Sequence, residues 1–299
     1  PISSALAASA TPPDVAKKPH VVKAPHGAER NDEYYWLRDD KRENKEMLAY
    51  LNAENAYTDA VMAPLKPLED KLYEEVVARI KQDDASVPYR ERGWWYYARF
   101  VTGKDYPVHA RRKDGPGVDA VSIQAANAAG DFAGEQVLLD VNALGEGKDY
   151  YNVGDYEVSQ DNRLLAYADD TNGRRQYTIR FKNLDTGELL PDTVTNAEPN
   201  LVWSDDGRTL FYVDKDPETL LSKRVKAHVL GTPASQDALV YEEEDDSFYM
   251  GIGRSRDDKF ICISVESTVS SEMRCTPAAS PGVFTVLALH HQKSPPTIN

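Results

Sequence analysis

Leu201-Val202-Trp203-Ser204-Asp205-Asp206-Gly207-Arg208-Thr209-Leu210-Phe211-Tyr212-Val213 sets two apolar runs around a Ser-Asp-Asp-Gly cluster. That cluster is turn chemistry: Gly tolerates φ > 0, and Ser and Asp side chains bond nearby backbone, so the stretch reads as a β-hairpin. The arrangement recurs as Ser159-Gln160-Asp161-Asn162-Arg163 before Leu164-Leu165-Ala166-Tyr167, and as Ser255-Arg256-Asp257-Asp258-Lys259 before Phe260-Ile261-Cys262. Ser159 and Ser204 lie 45 residues apart, and Ser204 and Ser255 lie 51 apart. A period of about 40–50 residues with one such hairpin per unit is that of a propeller blade of four antiparallel strands.

Working outward, four units emerge. Trp94 to Val101, Val108 to Arg112 and Gln136 to Asp140 are strand candidates of a first blade, with Arg92-Gly93 as its turn and an insertion around Gly115 to Gly134. A second unit runs from about Tyr156 to Thr195, a third from Pro199 to about Glu244 and a fourth from Phe248 to about Val286. The expected fold is mainly β: a partial propeller over residues 83–288, preceded by a helical arm over 32–82. In the arm a helix is expected from about Asn44 to Met62, with Met47, Leu48 and Leu51 on one face. A second follows Pro64 and Pro67, with Leu65, Leu68, Leu72, Val76 and Ile80 at helical spacing. Neither helix has a partner of its own kind nearby, so their apolar stripes call for a surface elsewhere. The cluster Tyr34-Tyr35-Trp36-Leu37 is of the kind that pins a terminal segment down.

The ends read differently. Residues 1–31 are expected to be an extended, irregular leader; Ala8-Ser9-Ala10 has the form that precedes signal-peptidase cleavage, which hints at export to a periplasm, against a plain disordered leader in the cytoplasm. Residues 289–299 do not continue a blade and read as a non-native tail.

The chain has 299 residues, 41% of them hydrophobic, enough for a large core. A net charge of −14 and a pI near 4.9 argue against nucleic acid, which needs a basic face. No run is long and apolar enough for a membrane-spanning helix. Cys262 and Cys275 are the only cysteines, expected on separate strands or on a strand and a loop, and they do not form a disulfide framework.

Motifs that could carry chemistry are weak. Gly253-Arg254-Ser255-Arg256-Asp257 lacks the second glycine of a nucleophile elbow and precedes a strand rather than a helix, so Ser255 reads as a turn residue. Gly145-Glu146-Gly147-Lys148 lacks phosphate-loop spacing. His20 and His26 lie in the leader, His109 and His228 singly in strands, and His290-His291 in the tail, with no zinc-site spacing. Glu242-Glu243-Glu244-Asp245-Asp246 reads as a solvated loop rather than a cation site. No catalytic, cofactor-binding or metal-ligating residue is assigned.

Several segments together are more specific than any of these. Glu33-Tyr34-Tyr35-Trp36-Leu37-Arg38-Asp39-Asp40 and Tyr50-Leu51-Asn52-Ala53-Glu54-Asn55 resemble the N-terminal signature of the prolyl oligopeptidase family of serine peptidases. Arg174 to Leu184, Gly231 to Asp237 and Tyr241-Glu242-Glu243 resemble its oligopeptidase B branch, and the resemblance covers roughly residues 14 to 286.

The resemblance implies a helical arm packed on a C-terminal α/β-hydrolase domain, with a seven-bladed propeller inserted between them in sequence. It implies hydrolysis of short peptides after Arg or Lys by a Ser-Asp-His triad lying in the hydrolase domain, so no triad position is carried onto this chain. About four of seven blades are expected here. The truncated chain is then expected to be inactive alone and to self-associate through open edges and apolar faces. A propeller scaffold without catalysis, binding a protein partner through its loops, is the alternative reading.

Overall fold

The structure is a computed structural model that describes residues 10–39, 41–217 and 219–290. It divides into two compact units, Pro1–Lys81 and Gln82–Asn299. The tail expected over 289–299 is corrected at its start, because Leu289 and His290 still pair with Glu272 and Ser271 in the last blade; residues 291–299 and the leader residues before 10, which include Ala8 and Ser9, lie outside the described residues.

In the first unit the expected irregular leader contains a small hairpin. Strand β1 (Val21–Lys23) pairs antiparallel with β2 (Glu29–Asn31) across a turn where Gly27 takes φ 85°. The aromatic cluster works as a clasp: Tyr35 stacks on His20 at 3.9 Å, the Trp36 Nε1–H donates to the Ala16 carbonyl at 2.8 Å, and Trp36 meets Tyr50 edge-on at 6.0 Å. Helix α1 (Lys45–Met62) starts where Asn44 Oδ1 accepts from the N–H groups of Glu46 and Met47. Helix α2 (Lys66–Val77) has Pro67 in its first turn, where the missing N–H costs no intrahelical bond. It buries no residue, and Leu68, Leu72 and Val76 on its apolar stripe are 54%, 51% and 55% exposed.

The second unit is four antiparallel blades. The first consists of β3 (Tyr89–Glu91), β4 (Trp94–Arg99), β5 (Val108–Lys113) and β6 (Glu135–Asp140). The insertion between β5 and β6 holds helix α3 (Ala120–Ala128), begun by a reciprocal Asp119–Ser122 capping box. Its Ile123 packs with Tyr97 and Ala110 on one face of this blade. After the short helix α4 (Val141–Gly145) come β7 (Asn152–Val158), β8 (Leu164–Asp170), β9 (Tyr177–Asn183) and β10 (Leu189–Trp203). Strand β10 serves twice: its first part pairs with β9, and its last residues pair with β11 (Thr209–Lys215), followed by β12 (Ser222–Val229) and β13 (Ala238–Glu242). Two blades therefore join into one continuous seven-stranded sheet. The fourth blade is β14 (Tyr249–Arg254), β15 (Phe260–Glu266), β16 (Ser271–Pro277) and β17 (Thr285–His290).

The core lies in the seams between blades. Leu165 and Tyr167 of β8 face the first blade, whereas Ala166 and Ala168 face the third. Leu210 and Tyr212 of β11 face the second blade, whereas Phe211 and Val213 face the fourth. Strands buried on both sides need continuous apolar runs, which Leu164-Leu165-Ala166-Tyr167 and Leu210-Phe211-Tyr212-Val213 supply. Strand β15 differs: Ile261, Ile263 and Val265 are buried against the third blade, and Phe260, Cys262 and Ser264 alternate onto the opposite face.

Candidate functional site

The recurrent turns connect the first two strands of their blades. Ser159 Oγ donates to Asp161 Oδ1 at 2.6 Å and accepts from the Leu164 N–H at 2.9 Å. Ser255 repeats this with Asp257 at 2.7 Å and Phe260 at 3.0 Å. At Ser204 the aspartate takes over, with Asp206 Oδ1 accepting from Arg208 and Thr209 at 2.8 and 2.9 Å. The fourth position of each turn is left-handed: Asn162 at φ 64°, Gly207 at 64° and Asp258 at 61°, an uncommon conformation that Asn, Gly and Asp tolerate best. Ser255 thus sits in a hairpin turn with its hydroxyl spent on local backbone and carboxylate.

Around these turns the first strands carry charge toward one another. Arg92 donates to the Val158 carbonyl at 3.3 Å and meets Glu91 at 3.1 Å and Asp258 at 3.8 Å. Trp203 Nε1–H donates to the Glu157 carbonyl at 3.0 Å, and Arg254 donates to the Trp203 carbonyl at 2.9 Å, to Asp205 and to the Asp258 carbonyl at 2.7 Å. Blades one to four are linked in series by these bonds, and Arg92 with Asp258 brings the first turn to the last. Among the described residues no strand pairing joins the first sheet to the last.

Asp155 and Glu157 on β7 stand on the same side, lining a small pocket of about 90 Å³ with Arg254. Burial pushes the Glu157 carboxyl up to about 8, aided by the negative charges of Asp155 and Glu91 and opposed by Arg92 and Arg254. Burial likewise holds Asp155 up at about 6. The Nε–H groups of Arg92 and Arg254 are buried and make no hydrogen bond. The lining thus sets two carboxyls of raised proton affinity beside one guanidinium, that of Arg254.

The other sequence candidates separate in space. Gly145 ends α4, and Lys148 Nζ caps it by donating to the Leu144 carbonyl. His109 lies beside Tyr156 at 4.8 Å between ring centroids, and burial lowers its pKa. In the acidic run, Glu242 ends β13, Glu243 Oε2 accepts the Tyr241 hydroxyl at 2.6 Å and Asp246 pairs with Lys223. His290 closes β17 and His291 lies outside the described residues. Among the described residues no cluster of three or more His, Cys, Asp or Glu is placed to hold a metal ion.

Two constellations escaped sequence reasoning. His228 is fully buried, with Nδ1 at 2.8 Å from Asp237 and Nε2 at 3.4 Å from Asp192, while the Tyr212 hydroxyl donates to Asp237 at 2.9 Å. Asp192 is 36 residues away, so no local spacing announces the group. It clips the second blade to the third. The two cysteines lie on separate strands, one of the two expected placements, but the pairing itself was not foreseen: β15 and β16 place Cys262 directly opposite Cys275, and the two form a disulfide. Only strand register, which a cysteine count does not contain, decides that pairing.

Comparison with known proteins follows this geometry. A family model described as "Prolyl oligopeptidase, N-terminal beta-propeller domain" matches residues 13–294. Dipeptidyl aminopeptidase BI of Pseudoxanthomonas mexicana is 99% identical over 288 residues, which is 96% of this chain and 40% of the relative. Protease 2 of Moraxella lacunata is 35% identical over 86% of this chain and 36% of its own length. The solved structure of oligopeptidase B from Leishmania major superposes with a TM-score of 0.83 at 31% identity, covering 94% of this chain and 40% of that one. The chain therefore spans well under half the length of the relatives it matches.

Proposed function

This chain belongs to the prolyl oligopeptidase family as its N-terminal propeller portion, and from that premise we propose that it is the non-catalytic part of a serine peptidase that hydrolyses short peptides after Arg or Lys. The observation that carries the reading is the match to an oligopeptidase B over 94% of this chain, with 40% of that protein covered. The remainder of such a protein has room for an α/β-hydrolase domain, and the open apolar stripe of α2 offers that domain a surface to rest on.

In the complete enzyme the chemistry is acyl transfer. A serine hydroxyl activated by histidine attacks the peptide carbonyl, N–H donors hold the oxyanion, and water releases the acyl group. The propeller contributes exclusion: it covers the site and admits only short peptides. The name of the 99% identical relative adds that dipeptides leave from the amino end.

The test uses both lengths of protein. The 299-residue chain is expected to leave an arginine amide uncut and to take up no fluorophosphonate, while a full-length enzyme carrying it does both. Turnover by the short chain sinks the proposal. Product masses from a peptide with spaced Arg and Lys residues distinguish N-terminal dipeptide release from internal cuts.

A further inference from the structure

We propose that Asn172–Gly173 is a latent deamidation site, kept closed in the folded chain by the carboxylate of Asp170 and opened when the second blade loosens. Asn172-Gly173 is the single Asn-Gly pair of the sequence. It lies in the loop that joins β8 to β9, and the groups that hold it come from the second and third blades.

The chemistry of such a pair needs no catalyst. The glycine amide nitrogen, once it gives up its proton, attacks Cγ of the asparagine side chain. The bond from Cγ to Nδ2 breaks, and ammonia leaves with a proton. A succinimide ring remains, and one water opens it to aspartate or isoaspartate. Glycine favours the step because no side chain crowds the attacking nitrogen or restricts the backbone turn that ring closure needs.

In this loop the nucleophile is withheld. The Gly173 N–H donates to Asp170 Oδ1 at 3.0 Å, and the same carboxylate accepts from the Asn172 N–H at 2.9 Å and, through Oδ2, from the Arg175 N–H at 2.8 Å. Asp170 is 1% exposed, so water does not compete for these bonds. Taking the Gly173 proton away forfeits one of them and sets a second negative charge 3.0 Å from the first, which is costly where solvent is excluded. The electrophile is not withheld. Asn172 Oδ1 accepts from the Arg174 N–H at 2.9 Å, a bond that draws electron density from the carboxamide carbon. The loop thus readies the carbon and masks the nitrogen.

The mask depends on the seam between the blades. Arg175 takes the left-handed φ of 57°, a strained conformation for a side chain of its size. Lys215 of β11, buried against Glu198 at 2.9 Å, donates to the Arg175 carbonyl at 3.0 Å and pins the loop to the third blade. When that seam opens, the Gly173 amide is freed. An isoaspartate formed then adds a methylene to the main chain, so the three bonds to Asp170 no longer fit together and the loop stays open.

The test follows the 299-residue chain in mildly alkaline buffer by peptide mapping, which separates the asparagine, aspartate and isoaspartate forms of the peptide that holds residue 172. Deamidation of Asn172 is expected to be at least about tenfold slower in the native chain than in the same chain in guanidinium chloride, as for a group released only by opening. Hydrogen exchange of the Gly173 amide is expected to be slowed by a factor of similar size. Asp170→Asn, which keeps the side chain's size and removes its charge, is expected to raise the native rate at residue 172 at least about threefold with a cooperative melt retained. Should that variant not fold, the two wild-type measurements decide. The proposal is overturned if native and denatured chains deamidate at the same rate, or if the Gly173 amide exchanges as fast as in the unfolded chain. It is equally overturned if a folded Asp170→Asn chain deamidates no faster than wild type.

Discussion

Arg111 Nη1 donates to Asn162 Oδ1 at 3.0 Å, and Nη2 donates to the Asn162 carbonyl at 2.9 Å, so a buried guanidinium of the first blade grips the left-handed corner of the second. The same side chain lies 3.9 Å over the Trp94 ring and bonds the Tyr96 hydroxyl at 3.1 Å and Gln136 at 2.8 Å. No lysine reproduces a planar fork with this many directed bonds.

Arg111→Ala is therefore expected to destabilise the propeller unit by about 3 kcal/mol, because it leaves several buried acceptors without donors. Arg111→Lys should recover less than half of that loss. Urea unfolding followed by tryptophan fluorescence measures both, and a loss below about 1 kcal/mol for the alanine variant contradicts the assignment.

The raised carboxyls make stability fall as pH rises. Glu157 binds its proton up to about pH 8 in the folded chain but only to its ordinary 4.5 when unfolded. Between those values the native state carries more protons than the unfolded one, so each step up in pH removes stability. Asp155 adds to the same slope between 3.8 and about 6. Glu157→Gln should flatten the dependence and melt higher than wild type at pH 8, where the carboxylate is otherwise forced to ionise. Calorimetric melts across pH 5 to 8.5 decide it, and an unchanged slope in the variant counts against the reading.

Ser255→Ala separates turn chemistry from nucleophilic chemistry. Loss of the Asp257 and Phe260 bonds should cost about 1 kcal/mol in this chain. Placed in a full-length enzyme, the same change should leave kcat/KM for an arginine amide within twofold. Loss of turnover in a protein that still folds would show the serine to be a reacting group.

The α2 stripe predicts a divided response. Leu72→Asp alters a residue that is 51% exposed, so stability of the isolated chain should shift by no more than about 0.5 kcal/mol. If the stripe serves a hydrolase domain, the change should weaken recovery of activity when that domain is supplied separately. Equal recovery by wild type and variant would remove α2 from the interface.

The blade count was legible because it is local information. Ser159, Ser204 and Ser255 begin turns of similar composition, and apolar runs on either side specify strands by alternation and β-branching. The sharing of β10 between two blades was not legible, because Leu189 to Trp203 reads as two strands broken at Pro199. Irregular register near Ala197 lets one strand serve both sheets. The helix inside the first-blade insertion was missed as well: Ala120 to Ala128 is small and apolar with weak periodicity, and its signal was the Asp119–Ser122 cap.

What the sequence by itself determined is the set of pieces: four blades, two helices and an aromatic clasp, each encoded by turn chemistry and apolar spacing along its own stretch of chain. The tertiary structure alone decided which distant residues share an environment. Arg111 with Asn162, His228 with Asp192 and Cys262 with Cys275 meet only through register and blade stacking. The physical reason is range: hydrogen-bonding and steric preferences act between neighbours along the chain, whereas burial and charge act between neighbours in space.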